Sequence, residues 1–173
     1  MSRENQNYGF ALRPFLDADE EFLVGLYRST RESELAMAPW SDQQREAFVR
    51  SQHAAQLGHY QSKYPAAEHL IIEVEGNPVG RIYVDRRSDE IRILDISLLP
   101  EHRGRGTGSP IIGELMREAS RDGKSLTIYL ESIGDGARSR SLFERLGFRP
   151  VETNGFHILY SWRNRTGSPD ARI

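Results

Sequence analysis

One segment constrains this chain more than any other: a strongly apolar run that ends in glycines and opens into an amphipathic stretch. Ile91 to Leu99 reads as a strand, and residues 107–121 carry Ile111, Ile112, Leu115, Met116 and Ala119 at helical spacing. Between them lies Leu98-Leu99-Pro100-Glu101-His102-Arg103-Gly104-Arg105-Gly106-Thr107-Gly108. Three glycines within five residues let a backbone pass close to a ligand without side-chain collision. The first N–H groups of a helix have no internal partner, and the helix dipole adds partial positive charge there. Such an end suits a phosphate or pyrophosphate. Arg103 and Arg105 add fixed charge beside it. Pro110 falls in the first turn, where a missing N–H costs little.

The glycines admit several readings. They can merely shape a tight turn. A dinucleotide fold wants Gly-x-Gly-x-x-Gly, and Gly104-x-Gly106-x-Gly108 has another spacing. A kinase-type phosphate loop wants Gly-Lys followed by Ser or Thr, which the segment lacks. The remaining reading is an Arg-x-x-Gly-x-Gly pyrophosphate loop.

The rest of the chain alternates strands and helices. Tyr8 to Arg13 is a short strand stopped by Pro14. Asp17 and Glu20 have capping-box spacing ahead of Phe22, Leu23, Leu26 and Tyr27, and Ser41 with Gln44 opens a helix to about Tyr60. His69–Val74 and Val79–Val84 read as a hairpin around Glu75-Gly76-Asn77-Pro78. Leu126–Leu130 is a strand and Ala137–Leu146 a helix closed by Gly147. Phe148–Val151 and Phe156–Trp162 pair around Asn154-Gly155. Hairpins first, then strand–helix–strand–helix, predict a mixed α/β (α+β) fold. One domain spans 8–163, with loose termini at 1–7 and 164–173.

Composition narrows the function. A net charge of −2 and a pI near 6.2 argue against a general nucleic-acid binder. The chain has no cysteine, which excludes disulfides, thiolate metal sites and a cysteine nucleophile. The five histidines show no metal spacing, so no metal is expected. No apolar run approaches a membrane span and the start is polar, so the expected location is the cytoplasm, away from membranes.

Arg103-x-x-Gly106-x-Gly108, after a strand ending Leu98-Leu99-Pro100-Glu101, resembles the acetyl-coenzyme A loop of the GNAT N-acetyltransferase superfamily. Leu142-Phe143-Glu144-Arg145-Leu146-Gly147-Phe148 resembles a second motif of that family, in the right order. The resemblance implies a three-layer fold, with a mostly antiparallel mixed sheet of 6–7 strands flanked by about four helices. It implies acetyl-coenzyme A as cosubstrate and transfer of its acetyl group to a primary amine by direct attack, without a covalent enzyme intermediate. In such enzymes the strand before the loop splays from its neighbour, here Leu126–Leu130, and admits the pantetheine arm. Leu98 and Pro100 would then flank that arm, with the Leu98 backbone N–H donating to the thioester carbonyl. Backbone groups of Arg103, Gly104, Arg105, Gly106, Thr107, Gly108 and Ser109 would hold the pyrophosphate, and Ser139 and Phe143 would contact the cofactor farther along.

Four positions depart from the family pattern. Phe143 stands where many members carry a tyrosine that protonates the departing thiolate, Gly136 and Ser139 replace an asparagine and an alanine, and Thr107 replaces a commoner aliphatic residue. Ser139, Ser141, Tyr129 or water would substitute for that acid, or the thiolate leaves unassisted. A non-catalytic acyl-coenzyme A sensing domain is the rival reading that Phe143 and Gly136 suggest. A neutral amine needs a proton acceptor. Asp95, which interrupts an apolar strand, is the first candidate, and pairing with Arg81 or Arg92 is the alternative role for it. Glu131 is the second candidate base. His53, His59 and Tyr60 border the region where such enzymes take the acceptor, as do Glu32, Glu34, Met37 and Trp40. Of these, Glu34 and Trp40 are the candidate acceptor-pocket residues. The strand at Phe156–Trp162 is a candidate for pairing across a homodimer.

Overall fold

The computed structural model describes residues 3–5, 9–132 and 136–164. The first strand, β1 (Arg3–Asn5), is followed by β2 (Phe10–Pro14), a 3-10 turn at Asp17–Asp19, and the helices α1 (Glu20–Thr30), α2 (Glu32–Met37) and α3 (Asp42–Lys63). Next come β3 (Glu68–Val74), β4 (Asn77–Arg86), β5 (Glu90–Leu98), a 3-10 turn at Pro100–His102 and α4 (Gly108–Arg121). β6 (Ser125–Glu131), α5 (Gly136–Arg145), β7 (Arg149–Asn154) and β8 (His157–Trp162) complete the described chain. The strand order is β1-β2-β3-β4-β5-β6-β8-β7, and β5 with β6 is a parallel pair among antiparallel ones. The mixed α/β class read from the sequence is therefore the observed one.

Contacts divide the chain into two compact units, Met1–Tyr83 with Asp95–Arg105, and Val84–Leu94 with Gly106–Ile173. In the first unit Leu23, Leu26 and Ile71 form a buried cluster against Phe15, Phe22 and Leu99, and Val24, Tyr27, Leu35 and Val49 form another. These side chains recur at helical spacing on α1, so one stripe of that helix faces inward. In the second unit Ile111, Ile112, Leu115 and Ala119 of α4 are buried, as are Leu126, Ile128 and Leu130 of β6. β6 pairs with β8 from Leu126↔Trp162 to Glu131↔His157, and β8 pairs in turn with β7 around Asn154 and Gly155. Gly155 has φ of 59°, the left-handed conformation that such a hairpin turn requires.

Several expectations are corrected. Arg3–Asn5, read as part of a loose terminus, pairs antiparallel with β2 at Arg3↔Leu12 through Asn5↔Phe10. α2 occupies what had been read as a connection; its six residues bury only Leu35, too little for a periodic signal. The Asp17–Glu20 box does not form: the N-cap of α1 is Asp19, with no side-chain cap, and the Asp19 carboxylate instead accepts from the Leu16 N–H at 2.9 Å, closing the 3-10 turn. The 3-10 turn at Asp17–Asp19 takes Asp17 into its own first position, so Asp17 is not an N-cap for α1. The Ser41–Gln44 box forms as expected, with Gln44 N–H on Ser41 Oγ at 3.3 Å and Ser41 N–H on Gln44 Oε1 at 2.9 Å. Residues 1–2, 6–8 and 165–173, assigned to the termini and to the start of the first strand, lie outside the described residues.

Candidate active site

The glycine-rich loop is built by backbone conformation. Gly104 and Gly106 have φ of 70° and 87°, in the left-handed region that side chains disfavour. A Cβ added at either would meet nothing within 4 Å, so the local need is for torsion and the surface above both is open. α4 begins at Gly108 with Thr107 as N-cap, no side-chain cap and no acidic residue in its first turn. Its leading N–H groups are thus presented to whatever lies before them. In its chemistry this donor set is suited to an anion such as a pyrophosphate.

The side chain of Arg103 has a structural task beyond the one expected. Its Nε donates to the Leu98 carbonyl at 2.7 Å, and its Nη2 donates to Ser29 Oγ at 2.7 Å and to the Ser29 carbonyl at 3.3 Å. The guanidinium therefore bridges β5 and the last turn of α1, where the helix dipole welcomes a cation. It holds the loop's first residue in place, and its partners are neutral oxygens, so its charge is not cancelled. Arg105 is exposed as well and has no ion-pair partner among the described residues.

Successive residues of a strand direct their backbone groups to opposite sides. The Leu99 N–H donates to the Val79 carbonyl on β4 at 2.8 Å, and the Leu98 N–H consequently points away from β4. A cramped contact fixes this position. A Cβ on Gly80 would lie 2.3 Å from the Ser97 carbonyl oxygen and 2.7 Å from Leu98 Cδ2. Gly80 thus lets β4 approach the end of β5 closely. Sequence reading passed over it, although a glycine inside a strand pattern is a signal of close backbone approach.

Asp95 faces Arg81, which is 3% exposed, with Arg81 Nε on Asp95 Oδ2 at 2.8 Å. The Ser97 hydroxyl donates to the same carboxylate at 3.3 Å, and Arg81 Nη2 donates to Gln56 Oε1 at 2.5 Å. Of the two roles considered for Asp95, the structure shows the ion pair. Gln56, one turn beyond His53 on α3, is a member that the sequence did not single out. Beside this group, Phe15, His69 and Tyr83 stack at centroid distances of 4.8 and 3.8 Å, and Tyr60 lies 5.0 Å from Tyr83. Burial, reinforced by Arg81 and His53, pulls His69 down to about 3, so its ring is neutral at pH 7. Burial, reinforced by Asp95, pushes Tyr60 up to about 12. The Tyr83 hydroxyl, 2.7 Å from His69 Nδ1, is pushed upward by burial as well.

The other expected site residues fall in varied surroundings. Phe143 is 1% exposed and meets Phe148 edge-to-face at 5.0 Å, so its ring is a core side chain and not a ligand contact. The deeper burial follows from its place on the inner stripe of α5. Ser139 is exposed on α5, and Glu131 is exposed at the end of β6, where its carbonyl accepts from Arg140. Pro100 begins the 3-10 turn after β5, and Ser109 is half-buried in the first turn of α4. Glu34 is paired with Arg31 at 2.9 Å, Trp40 lies 4.9 Å from Phe48, and Met37 is largely exposed.

A sequence profile of the Acetyltransferase (GNAT) family matches residues 24–148. The chain belongs to the GNAT acetyltransferase family. Solved structures agree on the fold of this acetyltransferase. The PaiA N-acetyltransferase from Thermoplasma acidophilum, in complex with coenzyme A, is similar at a TM-score of 0.65 and 17% identity, over 90% of this chain and 99% of that one. An acetyltransferase from Thermus thermophilus is similar at 0.63 and 17% identity, over 90% and 97%. The ribosomal-protein-S18-alanine N-acetyltransferase from Escherichia coli is similar at 0.59 and 15% identity, over 95% and 99%. Among the described residues, no helix of this acetyltransferase is long and apolar enough to cross a membrane. No cluster of possible metal ligands occurs among them either.

Proposed function

We propose that this GNAT acetyltransferase moves the acetyl group of acetyl-coenzyme A to a primary amine of a small molecule or protein in the cytoplasm. The carrying observation is the loop itself: two glycines at positive φ lead into a helix N-terminus that has neither a side-chain cap nor an acidic first turn. Backbone N–H groups from Gly104 to Ser109 would grip the pyrophosphate, with Arg105 beside them. The parallel register of β5 with β6 runs from Glu90↔Ser125 to Ile93↔Ile128, while both strands continue. By the family resemblance, a pantetheine arm would lie along the later half of β5. There the outward Leu98 N–H would donate to the thioester carbonyl as it becomes an oxyanion.

In the step itself the neutral amine nitrogen forms a bond to the carbonyl carbon, and the carbon–sulfur bond breaks. The amine loses one proton, and the thiolate leaves and acquires one. Asp95 is engaged by Arg81 and Ser97, which supports its helping to hold the acceptor's surroundings, with an ordered water taking the proton. Phe143, a buried hydrocarbon ring, supplies no acid for the thiolate. That same observation favours a second reading, a domain that binds acyl-coenzyme A without turnover.

The test is thiol release from acetyl-coenzyme A across a panel of amines, with calorimetric titration of coenzyme A into wild type and Gly106→Trp. Amine-dependent release, and binding abolished by the substitution, are expected. Tight binding without turnover on a broad panel moves the assignment to the second reading. A wild-type chain that fails to bind coenzyme A overturns both.

A further inference from the structure

The last turn of α1 carries a half-buried serine, Ser29, to which the acetyl-transfer reading gives no role. Its hydroxyl donates to the Leu26 carbonyl at 2.7 Å, which fixes the rotor and leaves the oxygen's lone pairs to accept. Arg103 Nη2 donates to that same oxygen at 2.7 Å. The Ser29 carbonyl lies in the final turn, where a helix offers its own carbonyls no internal partner. It accepts from Arg103 Nη1 at 3.4 Å and from Nη2 at 3.3 Å. Among the described residues, Ser29 thus provides two of the three oxygens that hold the guanidinium, the third being the Leu98 carbonyl.

The contact has an apolar counterpart in the same compact unit. Leu99, next to Leu98, packs against Leu23 and Leu26 of α1. The chain after β5 is therefore seated on α1 twice, by Leu99 through hydrocarbon and by Arg103 through hydrogen bonds. Every partner of the guanidinium is a neutral oxygen, so its whole positive charge persists at the loop's first residue. Among the described residues these contacts also leave one N–H of Nη1 unused. Arg103 is exposed, and an exposed arginine without such holds must be immobilised when a ligand arrives, which weakens binding.

We propose that Ser29 is a positioning residue for the cofactor: it fixes Arg103, and through Arg103 the entry of the glycine-rich loop, in the arrangement that takes the pyrophosphate. The inference rests on the coenzyme A reading of that loop and adds to it a residue 74 positions from Arg103. Ser29 acts through the guanidinium, which distinguishes it from a residue that merely stabilises α1.

The test titrates coenzyme A by calorimetry into the full-length wild type, Ser29→Ala, Ser29→Thr, Arg103→Ala and the double variant Ser29→Ala, Arg103→Ala, with the stability of each measured in urea. Ser29→Ala is expected to weaken coenzyme A about three- to tenfold, and Ser29→Thr, which keeps the hydroxyl, to stay within about twofold of wild type. Once Arg103 is alanine, removing the serine hydroxyl should cost less than about twofold more. With an amine that turns over, Ser29→Ala should raise KM for acetyl-coenzyme A and leave kcat unchanged. An equal loss with and without Arg103 would show that the serine acts through α1 alone, and overturns the proposal. Undiminished affinity in Ser29→Ala, or a folded Ser29→Thr as weak as the alanine variant, overturns it too. Wild type that binds while Ser29 is indifferent removes this inference only; wild type that fails to bind coenzyme A removes the reading of the loop as well.

Discussion

Replacing Gly80 by alanine tests whether the end of β5 is positioned by close approach of β4. The added Cβ would lie 2.3 Å from the Ser97 carbonyl oxygen, 2.7 Å from Leu98 Cδ2 and 3.2 Å from Leu98 Cα. The leucine side chain can rotate away, but the backbone oxygen cannot. To reach even 3.0 Å, the two strands must part by 0.7 Å, the difference between 3.0 and 2.3. The neighbouring Leu99–Val79 hydrogen bond, now 2.8 Å, would stretch to the edge of bonding. Overpacking of this kind costs about 1–3 kcal/mol, and the weakened bond about 1 kcal/mol more. Urea denaturation should therefore register a loss of about 2–4 kcal/mol at an unchanged slope. Because Leu98 moves with Ser97, coenzyme A affinity measured by calorimetry should fall together with stability. Gly25→Ala is the control: nothing lies within 4 Å of its Cβ in the middle of α1, and stability should rise by up to about 1 kcal/mol. A Gly80→Ala protein as stable as wild type, with the same coenzyme A affinity, would refute the reasoning.

Further outcomes follow from the same geometry. Arg103→Lys should weaken coenzyme A about tenfold in titration while stability shifts by less than about 1 kcal/mol. A lysine cannot span the Leu98 carbonyl and both Ser29 oxygens at once. Asp95→Asn keeps the contact with Arg81 but removes its charge; if Asp95 is a positioning residue, the rise of kcat with pH should keep its midpoint while KM for the amine increases. His69 titrates near 6.5 when unfolded and about 3 when folded, so the unfolded chain takes up a proton first as pH falls. Stability from this residue is complete above pH 6.5 and is lost on acidification toward 3. Between pH 8 and 5 the loss should be about 2 kcal/mol by denaturation, and His69→Gln should flatten the slope.

The amino-acid sequence determined what depends on neighbours a few positions apart. The succession of strands and helices, the Ser41 cap, the hairpin at Asn154-Gly155 and the strand–loop–helix segment of Leu98 to Gly108 all follow from periodicity, capping and glycine torsion. The glycine-rich loop was legible because its donors are backbone groups, fixed by local conformation whatever the rest of the chain does. Side-chain roles were not legible, because their partners are distant in the chain. That Arg103 also ties β5 to α1 emerges only when folding brings Ser29, 74 positions away, against it. For Asp95 the sequence offers a base role or a pairing with Arg81 or Arg92, and folding selects Arg81, 14 positions back and itself held by Gln56. Phe143 was expected beside the cofactor, and only the packing of α5 shows its ring turned inward onto Phe148. Asp17 and Glu20 have the spacing of a helix cap, but a 3-10 turn closed by Asp19 on the Leu16 N–H takes the place of that box. Local sequence encodes the backbone's choices; which charged and aromatic groups remain available for chemistry is decided when distant segments meet and consume each other's hydrogen bonds.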